Sequence, residues 1–458
     1  MLTSLLPILQ CPYCRERFEF TEAPRAADGE AEFGVLRCSC SAFPVVDGIP
    51  VIQRAAVGMY EHTRGLVEVE GAQIAALVRL IEAGRTEEAL LACLSIPELP
   101  PRLSRVVGWR VSHSSAATHL AHWLGNRRLR HQILAHRQAI GARTVLEFYY
   151  HPGGPLDVAV GHYFIRRFCQ PRHLSALALV ANFPAASKPV LDIACGVGHL
   201  EHYFTGREAP VPVVGLDMNF FHLWIARYWI APRARFVCAN AADGLPFADD
   251  AFSGMLCSDA YHYIANREQL LREMHRCAPA RLTVLTRVGN LAVKPNEGDE
   301  RSLPDYLQEL GSLQPGAFGE DELLRCYLER RNPLTAARLD AGELAGRKWL
   351  SFAWNVPAAA ADSEPSWPHA VGRIGVNPIY VASATRAGGR QLRFEFPHIW
   401  YAYENHAMLS YQPLSATLSP EQLARLEGGH EDPELRQLID SFVLVGMPQR
   451  FTEAPTQG

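Results

Sequence analysis

Residues 190–199 read VLDIACGVGH, an apolar run with one acid, Asp192, that breaks at Ala194 into a loop carrying Gly196 and Gly198. Two glycines one residue apart let backbone groups lie directly against a ligand. Asp217 closes the next apolar segment, VVGLD, ahead of Met218, and its two acceptor oxygens match the paired hydroxyls of a ribose. Asn240 and Ala241 follow a third segment; the amide oxygen of Asn240 can accept a hydrogen bond and the Ala241 N–H can donate one. A fourth segment, MLCSDAYHYI, brings Ser258, Asp259, Tyr261, His262 and Tyr263, of which His262 has the pKa best suited to a general base near neutral pH. Taken singly, a helix cap at Asp217, a tight turn at the glycines and plain packing of His262 are equally consistent.

A second chemistry-bearing group stands near the start of the chain. Cys11 and Cys14 form CPYC, and Cys38 and Cys40 form CSC, after Phe18, Phe20, Phe33, Val35 and Leu36 at strand-like spacing. Four thiolates can close a tetrahedron, and so small a segment needs a structural Zn²⁺ in place of the core it cannot build. The short second gap makes Cys40 the weakest ligand. The other seven cysteines lie in apolar stretches as small hydrophobes, which suits a reducing compartment. His119, His122, His131 and His136 do not place three rings on one helical face and have no acidic partner, so they read as packing or solvated histidines. Arg127, Arg128, Arg130 and Arg137 read as a solvated helix face.

The elements that must position these residues alternate. Strands are expected at Val190–Ile193, Val213–Leu216, Arg235–Cys238, Ser253–Cys257 and Leu282–Thr286, with helical patterns between them, clearest over 266–278. Such alternation implies a parallel sheet with a ligand at the strands' carboxyl ends. Before it, Tyr149, Tyr150, His151, Tyr163, Arg166 and Arg167 surround a PGGP turn; they could cover a cofactor, bind an acidic acceptor or simply pack. Residues 71–95 hold two helical patterns broken at Gly84, then a proline-rich stretch runs from Pro97 to Pro101. Past residue 295 the pattern predicts a loop over 357–368, a hairpin over 374–396 turning at Gly388 and Gly389, and helices near 419–427 and 432–442. The run Phe442–Val445 either closes the sheet or belongs to a separate unit.

Composition limits the classes of function. With 458 residues and 48% hydrophobic content the chain can build two or three packed units. A net charge of −4 without a basic block lacks the footprint of a dedicated nucleic-acid binder. No apolar run is long enough for a bilayer span, so the expectation is a soluble cytoplasmic protein with no membrane partner.

A dinucleotide fingerprint requires a third glycine, and Glu201 stands there. The ordered series from Asp192 and the glycine loop through Asp217, ANAADGLPFADDAF and MLCSDAYHYI instead resembles class I S-adenosylmethionine-dependent methyltransferases. Phe43–Ile52 resembles the closing strand of Trm112-like zinc ribbons, a likeness covering residues 1–55. Together these imply an α/β fold. It comprises a zinc ribbon (1–55), a helical linker or cap (56–150), a Rossmann-like methyltransferase core (151–295) and an α+β C-terminal extension (296–458) able to complete the sheet and substrate pocket. The resemblance assigns S-adenosylmethionine to Asp192, Ala194, Gly196, Gly198, Asp217, Met218, Asn240, Ala241 and Ser258, and Zn²⁺ to the four N-terminal cysteines. That family usually has aspartate where Asn240 stands. In-line methyl transfer to a small molecule is the leading expectation, with His262 as base only if the acceptor must lose a proton. RNA methylation and a non-catalytic scaffold or activator role are the rivals.

Overall fold

The computed structural model describes residues 2–24, 32–54, 72–94, 127–150, 155–293, 298–335, 339–358, 371–428 and 433–452. His119, His122, His151, Pro97–Pro101, most of PGGP and most of the expected loop at 357–368 lie outside them.

The N-terminal strands β1 (Glu19–Glu22), β2 (Gly34–Arg37), β3 (Ala42–Val46) and β4 (Ile49–Pro50) form an antiparallel meander. Asp47 and Gly48, both with positive φ, make the two-residue turn between β3 and β4 that the Asp-Gly pair favours. The chain beyond β4 runs on along the main sheet. Val51 bridges Cys238 in parallel, and the Ile52 N–H donates to the Cys238 carbonyl at 2.7 Å.

The main sheet contains β5 (Val190–Ile193), β6 (Val213–Asp217), β7 (Arg235–Cys238), β8 (Gly254–Ser258), β9 (Thr283–Gly289), β10 (Gly316–Gly319) and β11 (Trp349–Trp354), in the order β10-β11-β9-β8-β5-β6-β7. From β9 to β7 all neighbours are parallel, whereas β11 runs antiparallel to both β9 and β10. β5, β6, β9 and β11 are buried throughout, as expected of a sheet covered on both faces. Helix Pro171–Val180 lies against β9, and helix Glu320–Leu328 packs on it in turn. The chain moves from β5 to β6 and β7 on one side and returns through β8 and β9 on the other, so the crevice for a ligand opens at the carboxyl ends of β5 and β8. This is the expected Rossmann-like α/β sheet, and residues beyond 295 complete it.

Two expectations for the C-terminal region change. The hairpin is β13 (Tyr380–Ala384) with β14 (Arg390–Phe394), joined by β15 (Ser415–Leu418), while residues 374–376 belong to β12 (Arg373–Val376). The final apolar run becomes β16 (Leu444–Met447), which pairs with β12 and not with the main sheet. Alternation within a short segment does not identify its partner, which distant strands decide. Among the described residues no helix is long and apolar enough to cross a membrane.

Candidate functional site

The loop after β5 is held open by backbone geometry. Ala194, Gly196 and Gly198 all have positive φ, which for Ala194 is strain an alanine rarely accepts. A Cβ on Gly198 would lie 2.9 Å from the Ala226 Cβ, so only glycine fits there. Helix His199–Gly206 follows directly. Asp217, at the end of β6, ties the loop down: the Gly196 N–H donates to Oδ2 at 2.9 Å and the Asn219 N–H to Oδ1 at 2.8 Å. Each oxygen keeps lone-pair capacity for another donor. Burial pushes the Asp217 carboxyl up to about 6, against the pull of these backbone donors.

Asn240 caps the short turn Ala241–Asp243, accepting from the Ala242 N–H at 3.0 Å, so its amide oxygen is already half engaged. The ribbon meets this region. Tyr13, inside CPYC, donates to Asp243 at 3.3 Å, and Gln53 donates to the Met218 carbonyl at 3.4 Å. Ser258 accepts from the Thr286 hydroxyl at 2.8 Å at the end of β8. Thus β5, β6 and β7 bring Gly196, Asp217 and Asn240 to adjacent strand ends.

Beneath the loop, Asp192 and Glu201 are buried together. Asp192 Oδ1 and both Glu201 oxygens have no hydrogen-bond partner among the described residues. Burial raises both carboxyls, Glu201 to about 8, and the neighbouring Glu201 raises Asp192 further. A Cβ on Gly215 of β6 would fall 2.7 Å from Glu201 Oε1, so the bare strand there makes room for the acid. The aromatic segment before β5 covers the loop: the Phe164 ring lies 3.4 Å from where a Gly196 Cβ would stand, and Tyr149 stacks on Phe221 with centroids 3.8 Å apart.

Across the crevice, Asp259 after β8 and Arg287 in β9 also have positive φ. Asp259 accepts from Arg287 at 2.6 Å, Arg172 at 3.1 Å, Tyr163 at 3.1 Å and Arg167 at 3.5 Å. Against the upward push of burial, Arg287, Arg172 and Arg167 hold Asp259 well below the usual carboxylate range. Glu404 accepts from Arg287 at 2.8 Å, Lys348 at 2.9 Å and Arg172 at 3.3 Å, and Glu320 pairs with Arg287 at 3.0 Å. Of this cluster, Asp259, Tyr163 and Arg167 stand out in sequence; Arg172, Lys348, Glu320 and Glu404 do not, and the signal for Arg287 is an arginine inside an apolar strand. His262 is completely enclosed, its ring 4.1 Å from Tyr263 and 6.1 Å from Trp349, an environment that favours packing over proton transfer.

The four N-terminal cysteines converge. Their sulfurs all lie within 4.8 Å of one another, with Cys11–Cys40 and Cys38–Cys40 at 3.6 Å. A tetrahedron with Zn–S of about 2.3 Å has edges of about 3.8 Å, so this donor set fits Zn²⁺, Cys40 included. Among the described residues no other group of histidines, cysteines and acids could hold a metal. The arginine patch is occupied: Arg130 pairs with Glu87 at 3.2 Å, and Arg128 and Arg137 lie over Phe148 and Tyr228.

Residues 190–279 match the model of a methyltransferase domain family. A trans-aconitate 2-methyltransferase from Delftia acidovorans is 26% identical over 149 residues, which is 32% of this chain and 53% of that protein. The chain thus spans about half the length of this curated relative. Among solved structures, geranyl diphosphate C-methyltransferase from Streptomyces coelicolor A3(2) shares 17% identity over 40% of this chain and 76% of its own, with a TM-score of 0.31. A TehB-like S-adenosylmethionine-dependent methyltransferase from Corynebacterium glutamicum shares 18% over 40% and 88%, with a TM-score of 0.29. Similarity at this level says nothing about an acceptor.

Proposed function

From the methyltransferase domain over residues 190–279, we propose that this chain transfers the methyl group of S-adenosylmethionine to a small-molecule acceptor by in-line displacement. One observation carries the reading: a glycine loop, a ribose-matched carboxylate and a capped amide turn stand side by side at the ends of β5, β6 and β7. In this reading Asp217 accepts from the ribose, Asn240 and Ala241 face the adenine, and Ala194, Gly196, Gly198, Met218 and Ser258 line the crevice. Asp192 and Glu201 lie beneath the loop with their carboxyls raised by burial, and their oxygens offer hydrogen-bond acceptors to the ammonium end of such a cofactor. When bound, that cofactor supplies an activated methyl group, and the protein's own part is alignment and exclusion of water. Cys11, Cys14, Cys38 and Cys40 hold a structural Zn²⁺. Residues 1–55, 56–150, 151–295 and 296–458 are the proposed ribbon, helical cap, core and extension, the last contributing β10 and β11 to the core's sheet.

The test is transfer of labelled methyl from the cofactor to fractionated cell extract. Label in the low-molecular-mass fraction is expected; label in RNA would replace the acceptor class, and cofactor binding without any transfer would favour a scaffold. In the same assay, a fall in turnover for His262→Ala at unchanged cofactor affinity would mark a base, and unchanged turnover would mark packing.

A further inference from the structure

The charged cluster on the far side of the crevice has more cations than anions. Arg167, Arg172, Arg287 and Lys348 face Asp259, Glu320 and Glu404, four cations to three anions, with the three arginines buried and Lys348 and Glu404 reaching solvent. The side chains of Arg167, Arg172 and Arg287 are 7%, 11% and 4% exposed. Arg172 Nε is buried with no acceptor among the described residues. A buried guanidinium N–H without an acceptor is costly, so Arg172 keeps one donor for a further acceptor.

Position says what supplies it. A cofactor along the ends of β5, β6 and β7 leaves the ends of β8 and β9 to the acceptor, and the cluster stands on those ends. Its two backbone contributors, Asp259 and Arg287, both adopt the left-handed region, a strain that clusters at functional sites. At the ends of β8 and β9, Asp259 is committed to three guanidiniums and His262 is enclosed, which places neither to take a proton from an acceptor. An acceptor already anionic at its nucleophilic atom needs no base.

Resting on the methyltransferase reading above, we propose that Arg172 and Arg167 receive a carboxylate of the acceptor and that the reaction forms its methyl ester. One carboxylate oxygen forms the new bond to the methyl carbon as the carbon–sulfur bond breaks, and that bond's electron pair stays on sulfur. The acceptor's negative charge and the donor's sulfonium charge disappear together, and no proton moves. Guanidinium is suited to this site because its planar fork matches a carboxylate.

A methyl ester releases methanol in alkali, which amide, amine and carbon-bound methyl groups do not. The protein is incubated with methyl-labelled S-adenosylmethionine and the low-molecular-mass fraction of cell extract, the product is made alkaline, and volatile label is counted. Volatile methanol is expected. Arg172→Gln should lower it at least about tenfold with cofactor affinity kept within about twofold, and Arg172→Lys should restore part of it. Alkali-stable label would overturn the carboxylate assignment while leaving methyl transfer standing. A lowered melting temperature in Arg172→Gln with undiminished ester would make the cluster a strut for the extension, also overturning it. Loss of calorimetric cofactor binding in the wild type would instead remove the underlying reading.

Discussion

Glu201 stands where its residue type is least at home, wholly buried beside a second acid, Asp192. In sequence it is visible only as the glycine that a dinucleotide loop would have had; what it does there depends on Gly215, Cys195 and Asp192, brought together by two strands and a turn. The consequence is measurable. Its folded carboxyl titrates at about 8 against an ordinary 4.5, so between those values the folded state holds a proton that the unfolded state has released. Stability of the cofactor-free protein therefore falls as pH rises from about 4.5 to about 8. Glu201→Gln removes this dependence, and its advantage in melting temperature over the wild type is expected to be larger at pH 8.5 than at pH 6. An equal difference at both values would show that Glu201 ionises normally. By contrast the placement of Gly196, Asp217 and Asn240 beside strand ends was legible from sequence, because an apolar strand's length and spacing are local properties.

The ribbon's role is expressed through elements. Its last residues lie along the outer edge of β7, closing an edge that would otherwise be open. Asp47, in the turn between β3 and β4, accepts from Trp224 and Tyr228, both at 2.8 Å. The CPYC turn itself reaches the end of β7 through Tyr13 and Asp243. If the proposed zinc holds so short a meander together, chelation is expected to act at both places. The purified chain should carry about one zinc per molecule by mass spectrometry, and its removal should lower the melting temperature and weaken cofactor binding several-fold. Metal-free protein with unchanged melting and binding would contradict the assignment. The cysteine spacing announced this ribbon in advance; its docking edge was not legible, because strand pairing across nearly two hundred residues leaves no local trace.

At the scale of the whole molecule, the crevice is built from both halves of the chain. The glycine loop and its carboxylates come from the segment before residue 220, whereas Glu320, Lys348 and Glu404 arrive from beyond residue 300 and meet Arg287 and Arg172. That division explains why the glycine loop and its carboxylates could be read from a contiguous stretch and the charged cluster could not. It also explains the reach of β10 and β11, which carry the sheet past the segment matching the methyltransferase family. The central claim is that S-adenosylmethionine occupies the ends of β5, β6 and β7, and calorimetric titration tests it most directly. The account predicts saturable one-site binding to the wild type, weakened at least about tenfold in Asp217→Ala, since one charge-assisted hydrogen bond contributes about 1.5 kcal/mol or more. No binding heat, or an affinity unchanged by Asp217→Ala, would contradict it.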